Sequence, residues 1–297
     1  MRGNKPTPEE LELAAPDRLD AAGLVQLDPD HPGFRDPVYR SRRDAIARIA
    51  FEYRDGEPVP RVEYTEEEQE VWRAVWRNLG PLHDRYACRA YLGCSQRLEL
   101  DRGRVPQLAD VNLAIHAATE FRMRPVAGLV SDRNFLGHLG RGVFLATQYM
   151  RHPSRPLYTP EPDVVHELVG HAATLCDPAF ARLNRAFGDA ALRATPGQLA
   201  RIARAYWYTL EFGLCEEGGA VKAYGAGLLS SFGELGRFEE HAELRPLDLD
   251  LVAATPYDPT DYQKVLYVAP DLARTAELVS AWLSRQAGST PSSASSS

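Results

Sequence analysis

The chain has 297 residues, 44% of them apolar and 25% charged, the profile of a soluble globular protein with one large or two small domains. Its net charge of −7, with arginines mixed among acids, excludes a general nucleic-acid binder, which needs clustered cations against phosphates. The four cysteines form no C-x-x-C pair and no apolar run reaches membrane-spanning length, so a reduced, cytoplasmic protein without membrane or nucleic-acid partners is expected.

In chain order, residues 1–28 are polar and weakly patterned, a loosely ordered lead-in. "DPVYRSRRDAIARIAFEYR" follows as a helix, with Val38, Ile46, Ile49 and Phe51 near helical spacing. "TEEEQEVWRAVWRNLGPLHDRYA" opens with Thr65 as cap and Glu68 at the capping-box position. "RMRPVAGLVSDRNFLGHLG" reads as a structured loop running into a helix, and "TPEPD" as a helix start capped by Asp163. The clearest helix is "TPGQLARIARAYWYTLEFGLCEEGG". Thr195 caps it, Pro196 takes its first position, Gln198 completes the box, and Gly218-Gly219 ends it. Strands are few and short, with one expected around "AVKAYGAG". Residues 286–297 form a Ser-rich tail expected to be disordered. With no repeat and no linker between, 29–285 reads as a single domain, mainly α with a small β element.

"HELVGH", residues 166–171, resembles a zinc-protease motif with one residue too many. Four residues advance an α-helix by about 40° net and five by about 140°, so His166 and His171 diverge on a regular helix. They converge only if the helix widens into a π-turn or is otherwise distorted, which Gly170 would tolerate. Glu211 lies within the apolar and aromatic run "AYWYTLEFGL", with Ala203 and Trp207 on the same helix face. A buried carboxylate there needs a partner, either an arginine or a metal ion. Two histidines and one carboxylate make the facial triad of non-haem iron oxygenases, and the same donors would suit a zinc hydrolase.

"RPLYTPEPDVVHELVGH" and "AYWYTLEFGLCEEGGAVKAYGAGLLSSFGEL" resemble the catalytic domain of the pterin-dependent aromatic amino acid hydroxylases. "DHPGFRDPVYRSRRDAIARIAFEYRDGEPVPRVEYTEEE", "VPQLADV" and "FRMRPVAGLVSDRNFLG" are similar to the same family, in family order from about Leu27 to about Leu283. The resemblance implies Fe(II) and tetrahydropterin as cofactors, O₂ as co-substrate, and hydroxylation of a free aromatic amino acid, with phenylalanine favoured over tyrosine or tryptophan. It makes His166, His171 and Glu211 the iron ligands. It gives the pterin Phe135 to stack on, Val126, Gly128 and Val130 as lining, and Glu167, Ala203 and Tyr206 as further neighbours. It gives the amino acid Arg151 for its carboxylate, held by Asp163, with Thr159 and Ser230 at the polar end and Trp207 walling the ring.

Leu145 departs from the His or Gln of the animal enzymes, and Asp132 replaces a small residue in the pterin loop. Trp207 matches the phenylalanine and tyrosine enzymes. In "TPYDPTDYQ", Tyr257 is a candidate lid residue, and Asp258 lies near the acidic position of tyrosine hydroxylases, which Pro259 itself fills. The short lead-in and Ser-rich tail imply a monomer without allosteric activation by substrate.

Overall fold

Asp36 accepts hydrogen bonds from the N–H groups of Val38 and Tyr39, and Pro37 takes the first helical position, so α1 (Pro37–Glu52) starts where its sequence directs. Of its expected apolar face, Ile46 is buried but Val38 and Phe51 stay exposed. The computed structural model describes residues 27–259 and 261–288. Nearly all of the lead-in and most of the Ser-rich tail therefore lie outside the described residues.

The Thr65–Glu68 capping box forms at the start of α2 (Glu66–Tyr86). This helix buries Val71, Trp72, Val75, Trp76 and Leu79 as one stripe in the main core. Full burial of each such side chain stabilises the fold by about 1.5–3 kcal/mol. Next come α3 (Arg89–Leu98) and α4 (Leu108–Thr119). Strand β1 (Arg122–Pro125), helix α5 (Asp132–Leu139) and strand β2 (Val143–Ala146) then form a small parallel crossover.

The next helical stretch contains a π-helical segment, His166–Ala172, continued by α6 (Ala173–Leu175). Beyond it, α7 (Pro178–Arg193) precedes α8 (Pro196–Tyr206), whose Thr195–Gln198 box and Pro196 are as expected. The regular helix then stops earlier than its sequence suggests. A second π-helical segment, Trp207–Glu211, ends it, and Phe212 N–H bonds back to Trp207 O at 2.8 Å. Gly218 and Gly219 do not stop a helix. Their φ values of +63° and +79° make the two-residue turn joining β3 (Leu214–Glu217) to β4 (Ala220–Ala223).

The remaining elements are α9 (Ala226–Ser230), α10 (Phe232–Leu235), α11 (Phe238–His241), β5 (Glu243–Pro246), α12 (Leu249–Val252), β6 (Val265–Ala269) and α13 (Leu272–Gly288). The larger sheet runs β4-β3-β6-β5, with only the first pair antiparallel. Helix α13 continues past the expected boundary at 285 and seals Trp282 in the core. The fold is mainly α with two small sheets, and among the described residues no helix is long and apolar enough to cross a membrane.

Candidate metal centre and its two cavities

Asp163 starts the helix carrying HELVGH by accepting the backbone N–H of His166 at 3.1 Å. Widening to π geometry then turns two histidines five residues apart onto one face, with ring centroids 4.7 Å apart. Gly170 contributes by close packing, not by unusual backbone angles. A Cβ there would lie 2.7 Å from Ala226 O and 2.9 Å from Ala226 Cβ, so α9 could not approach.

The second π-helical segment delivers Glu211 to the same point. His171 Nε2 lies 3.0 Å from His166 Nε2 and 3.1 Å from Glu211 Oε1, and His166 Nε2 lies 3.6 Å from Glu211 Oε2. Bonds of about 2.1 Å meeting at right angles would separate donor atoms by about 3.0 Å, and tetrahedral bonds by about 3.4 Å. The spacing and the donor set both fit one metal ion held on a single face. Among the described residues this is the one His/Cys/Asp/Glu group with that capacity.

Hydrogen bonds orient one of the donors. Ser230 Oγ donates to Ala226 O at 2.8 Å and lies 3.0 Å from His166 Nδ1, so it accepts the Nδ1 proton and leaves Nε2 as a bare lone pair. Burial and the neighbouring His171 push the His166 pKa down to about 4, favouring neutral imidazole. Burial disfavours the Glu211 carboxylate, but His171 and His166 outweigh it and hold its pKa below the ordinary value. Burial also lifts Glu167 to about 7, although its Oε1 accepts from Thr147 N and Oγ1, each at 3.0 Å.

Two cavities meet at these donors. The first, about 200 Å³, is lined by Val126, Gly128, Val130, Phe135, Glu167, Ala203 and Tyr206, all expected on the pterin side, and by Leu145 and Asp132. Phe135 is held edge-on by Phe144 and Tyr206, at centroid distances of 5.3 and 5.6 Å. The second, about 440 Å³, is lined by Arg151, Thr159, Trp207 and Ser230. Asp163 stands behind it, fully buried, and takes the Nε and Nη2 of Arg151 at 2.9 and 2.8 Å. Although burial opposes ionisation, Arg151 keeps the Asp163 pKa below the ordinary value. Arg151 itself lines the cavity while Asp163 engages its Nε and Nη2.

His166, Trp207 and Glu211 line both cavities. Trp207 stacks on Tyr257 at 4.2 Å and donates Nε1–H to Gln263 Oε1 at 2.9 Å. Sequence reasoning missed Thr147, Gln263 and Glu234, none of which stands in a pattern that signals a site. Nor does the mixing of arginines among acids single out Arg43. Arg43 is in fact buried, stacked 3.2 Å over the Tyr149 ring and paired with Glu161 at 2.9 Å.

Residues 17–287 match the family described as biopterin-dependent aromatic amino acid hydroxylase. Phenylalanine-4-hydroxylase of Rattus norvegicus is 48% identical over 260 residues, 86% of this chain and 57% of that one. Tyrosine 3-monooxygenase of Canis lupus familiaris is 46% identical over 264 residues, 87% of this chain and 53% of that one. The chain thus spans little more than half the length of these relatives. Among solved structures, Chromobacterium violaceum phenylalanine hydroxylase with iron(III) and oxidised cofactor 7,8-dihydrobiopterin superposes with a TM-score of 0.72. It is 31% identical, and the match covers 82% of this chain and 92% of that one. A match across most of the sequence, a shared fold, and a His-His-Glu cluster on distorted helices agree: the chain belongs to the biopterin-dependent aromatic amino acid hydroxylase family.

Proposed function

We propose that the protein is an Fe(II)- and tetrahydropterin-dependent monooxygenase that hydroxylates the ring of a free aromatic amino acid, converting L-phenylalanine to L-tyrosine. The observation that carries this reading is the meeting of two cavities at one His-His-Glu donor set. His166, His171 and Glu211 would hold the iron, which activates O₂, while the pterin supplies two electrons, so that one oxygen atom enters the ring and the other is reduced.

The chain's own residues bind, orient and exclude water. Phe135 offers a ring face to the flat pterin, with Val126, Gly128 and Val130 along the loop and Ala203 and Tyr206 completing the lining. Glu167 lies beside this cavity with Oε1 engaged by Thr147, as a pterin neighbour and not a hydrolytic base. On the other side, Arg151, braced by Asp163, takes the amino acid carboxylate. Thr159 stands at the polar end, and Trp207 walls the ring and aligns it with the metal.

Tyrosine hydroxylation is the alternative, favoured by tyrosine 3-monooxygenases being nearly as similar as the phenylalanine enzymes. We take the working unit to be a monomer, and the four buried free cysteines suit the reducing cytoplasm. Aerobic incubation with Fe(II), tetrahydropterin and each aromatic amino acid, followed by chromatography, tests the proposal. Tyrosine formed from phenylalanine is expected, and no hydroxylated product from any amino acid would sink it.

A further inference from the structure

The second cavity holds more charge than a carboxylate-binding arginine. Besides Arg151 it is lined by four acids: Glu161, Glu211, Glu234 and Asp261. Three have evident occupations. Glu161 pairs with Arg43 at 2.9 Å and His31 at 3.4 Å, and Glu211 belongs to the metal donors. Asp261 is exposed and accepts the Tyr262 N–H at 2.8 Å.

Glu234 differs from all of them. It stands on α10, whose start is capped by Ser231, and its Oε1 accepts the Gln263 N–H at 2.9 Å. It is partly buried, and among the described residues it has no cationic partner. A half-buried carboxyl without a counter-charge is held partly neutral, and a ligand's positive charge would stabilise its ionised form. Burial pushes its pKa up to about 7, against the hydrogen bonds from the Gln263 N–H and the Ser231 side chain.

A free amino acid carries a carboxylate and an ammonium on the same carbon. We propose that Glu234 is the specificity-determining residue that pairs with the substrate's α-ammonium, in the same cavity as the arginine that takes its carboxylate. This rests on the reading of the second cavity as an amino acid site and adds to it a reason for selecting free amino acids over simple carboxylic acids.

The test is calorimetric titration of metal-loaded wild type and Glu234→Gln with L-phenylalanine and with 3-phenylpropanoate, which lacks the ammonium. The substitution should weaken phenylalanine about 10-fold or more and leave 3-phenylpropanoate unchanged or tighter. In turnover the loss should appear in KM for the amino acid, with KM for tetrahydropterin unchanged. Equal phenylalanine affinity in the two proteins overturns the proposal. So does a parallel loss for both ligands, which would mean that Glu234 merely supports the loop through Gln263. Failure of the wild type to bind phenylalanine at all would instead remove the amino acid site itself.

Discussion

Ser230 has a neighbour that the family resemblance does not name, besides the cavity it lines. The family resemblance puts it at the substrate's polar end, yet its hydroxyl lies 3.0 Å from His166 Nδ1 and fixes that ring's tautomer. Groups that orient a metal-binding histidine are typically worth about 10- to 100-fold in metal affinity. Ser230→Ala should therefore lose metal affinity by about that factor, measured by metal titration of the folded variant. An unchanged metal affinity with a raised KM for the amino acid would assign Ser230 to the substrate alone.

Glu234 makes a second prediction at this scale. Its folded pKa is raised from 4.5 to about 7, so between those values the folded protein holds the proton more tightly than the unfolded chain. Stability from this group is complete below pH 4.5 and is lost as pH rises through about 7, by at most about 3 kcal/mol. The groups acting on it are the Gln263 N–H, the Ser231 side chain, Asp261 and Tyr262, and Arg151 lines the same cavity. Glu234→Gln keeps the acceptor for Gln263 N–H but cannot ionise. In denaturant titrations its stability relative to wild type should be lowest below pH 4.5 and rise towards pH 8, and an unchanged difference across that range would refute this.

At the scale of elements, the site depends on two departures from α-helical geometry. Only one of them is legible in the sequence. The His166–His171 spacing demands distortion, and Asp163, Thr65–Glu68 and Thr195–Gln198 mark helix starts through local side-chain chemistry. The second π-helical segment leaves no such mark, because its spacing of Trp207 to Glu211 also suits an ordinary helix. Gly218-Gly219 reads as a helix stop and is a hairpin turn, because glycines serve both roles and only the pairing of β3 with β4 decides. Gly170 lies inside the expected distortion and is also a close contact with α9. Gly170→Ala must push α9 away from the HELVGH segment, at a cost of about 1–3 kcal/mol. Because α9 carries Ser230, thermal denaturation should show that loss together with weaker metal binding. Full retention of both would mean that the two segments separate freely.

At the scale of the molecule, the two cavities share a wall. His166, Trp207 and Glu211 line both, and Tyr257, which lines only the first, lies flat on Trp207 at 4.2 Å with an angle of 11° between the rings. A ligand in the first cavity therefore acts on Tyr257, and through Trp207 on the position available to an aromatic ring in the second. Such a contact can couple two sites only if the pair has an arrangement that each ligand prefers, and any coupling must then be reciprocal. Calorimetry should find that an oxidised pterin changes phenylalanine affinity by the same factor as phenylalanine changes pterin affinity, about 5-fold or more. Tyr257→Ala removes the stack while leaving every lining residue of the second cavity in place. It should bring that factor close to one without abolishing phenylalanine binding. If coupling survives the substitution intact, the connection runs through the shared metal donors, and the Trp207–Tyr257 stack is only packing.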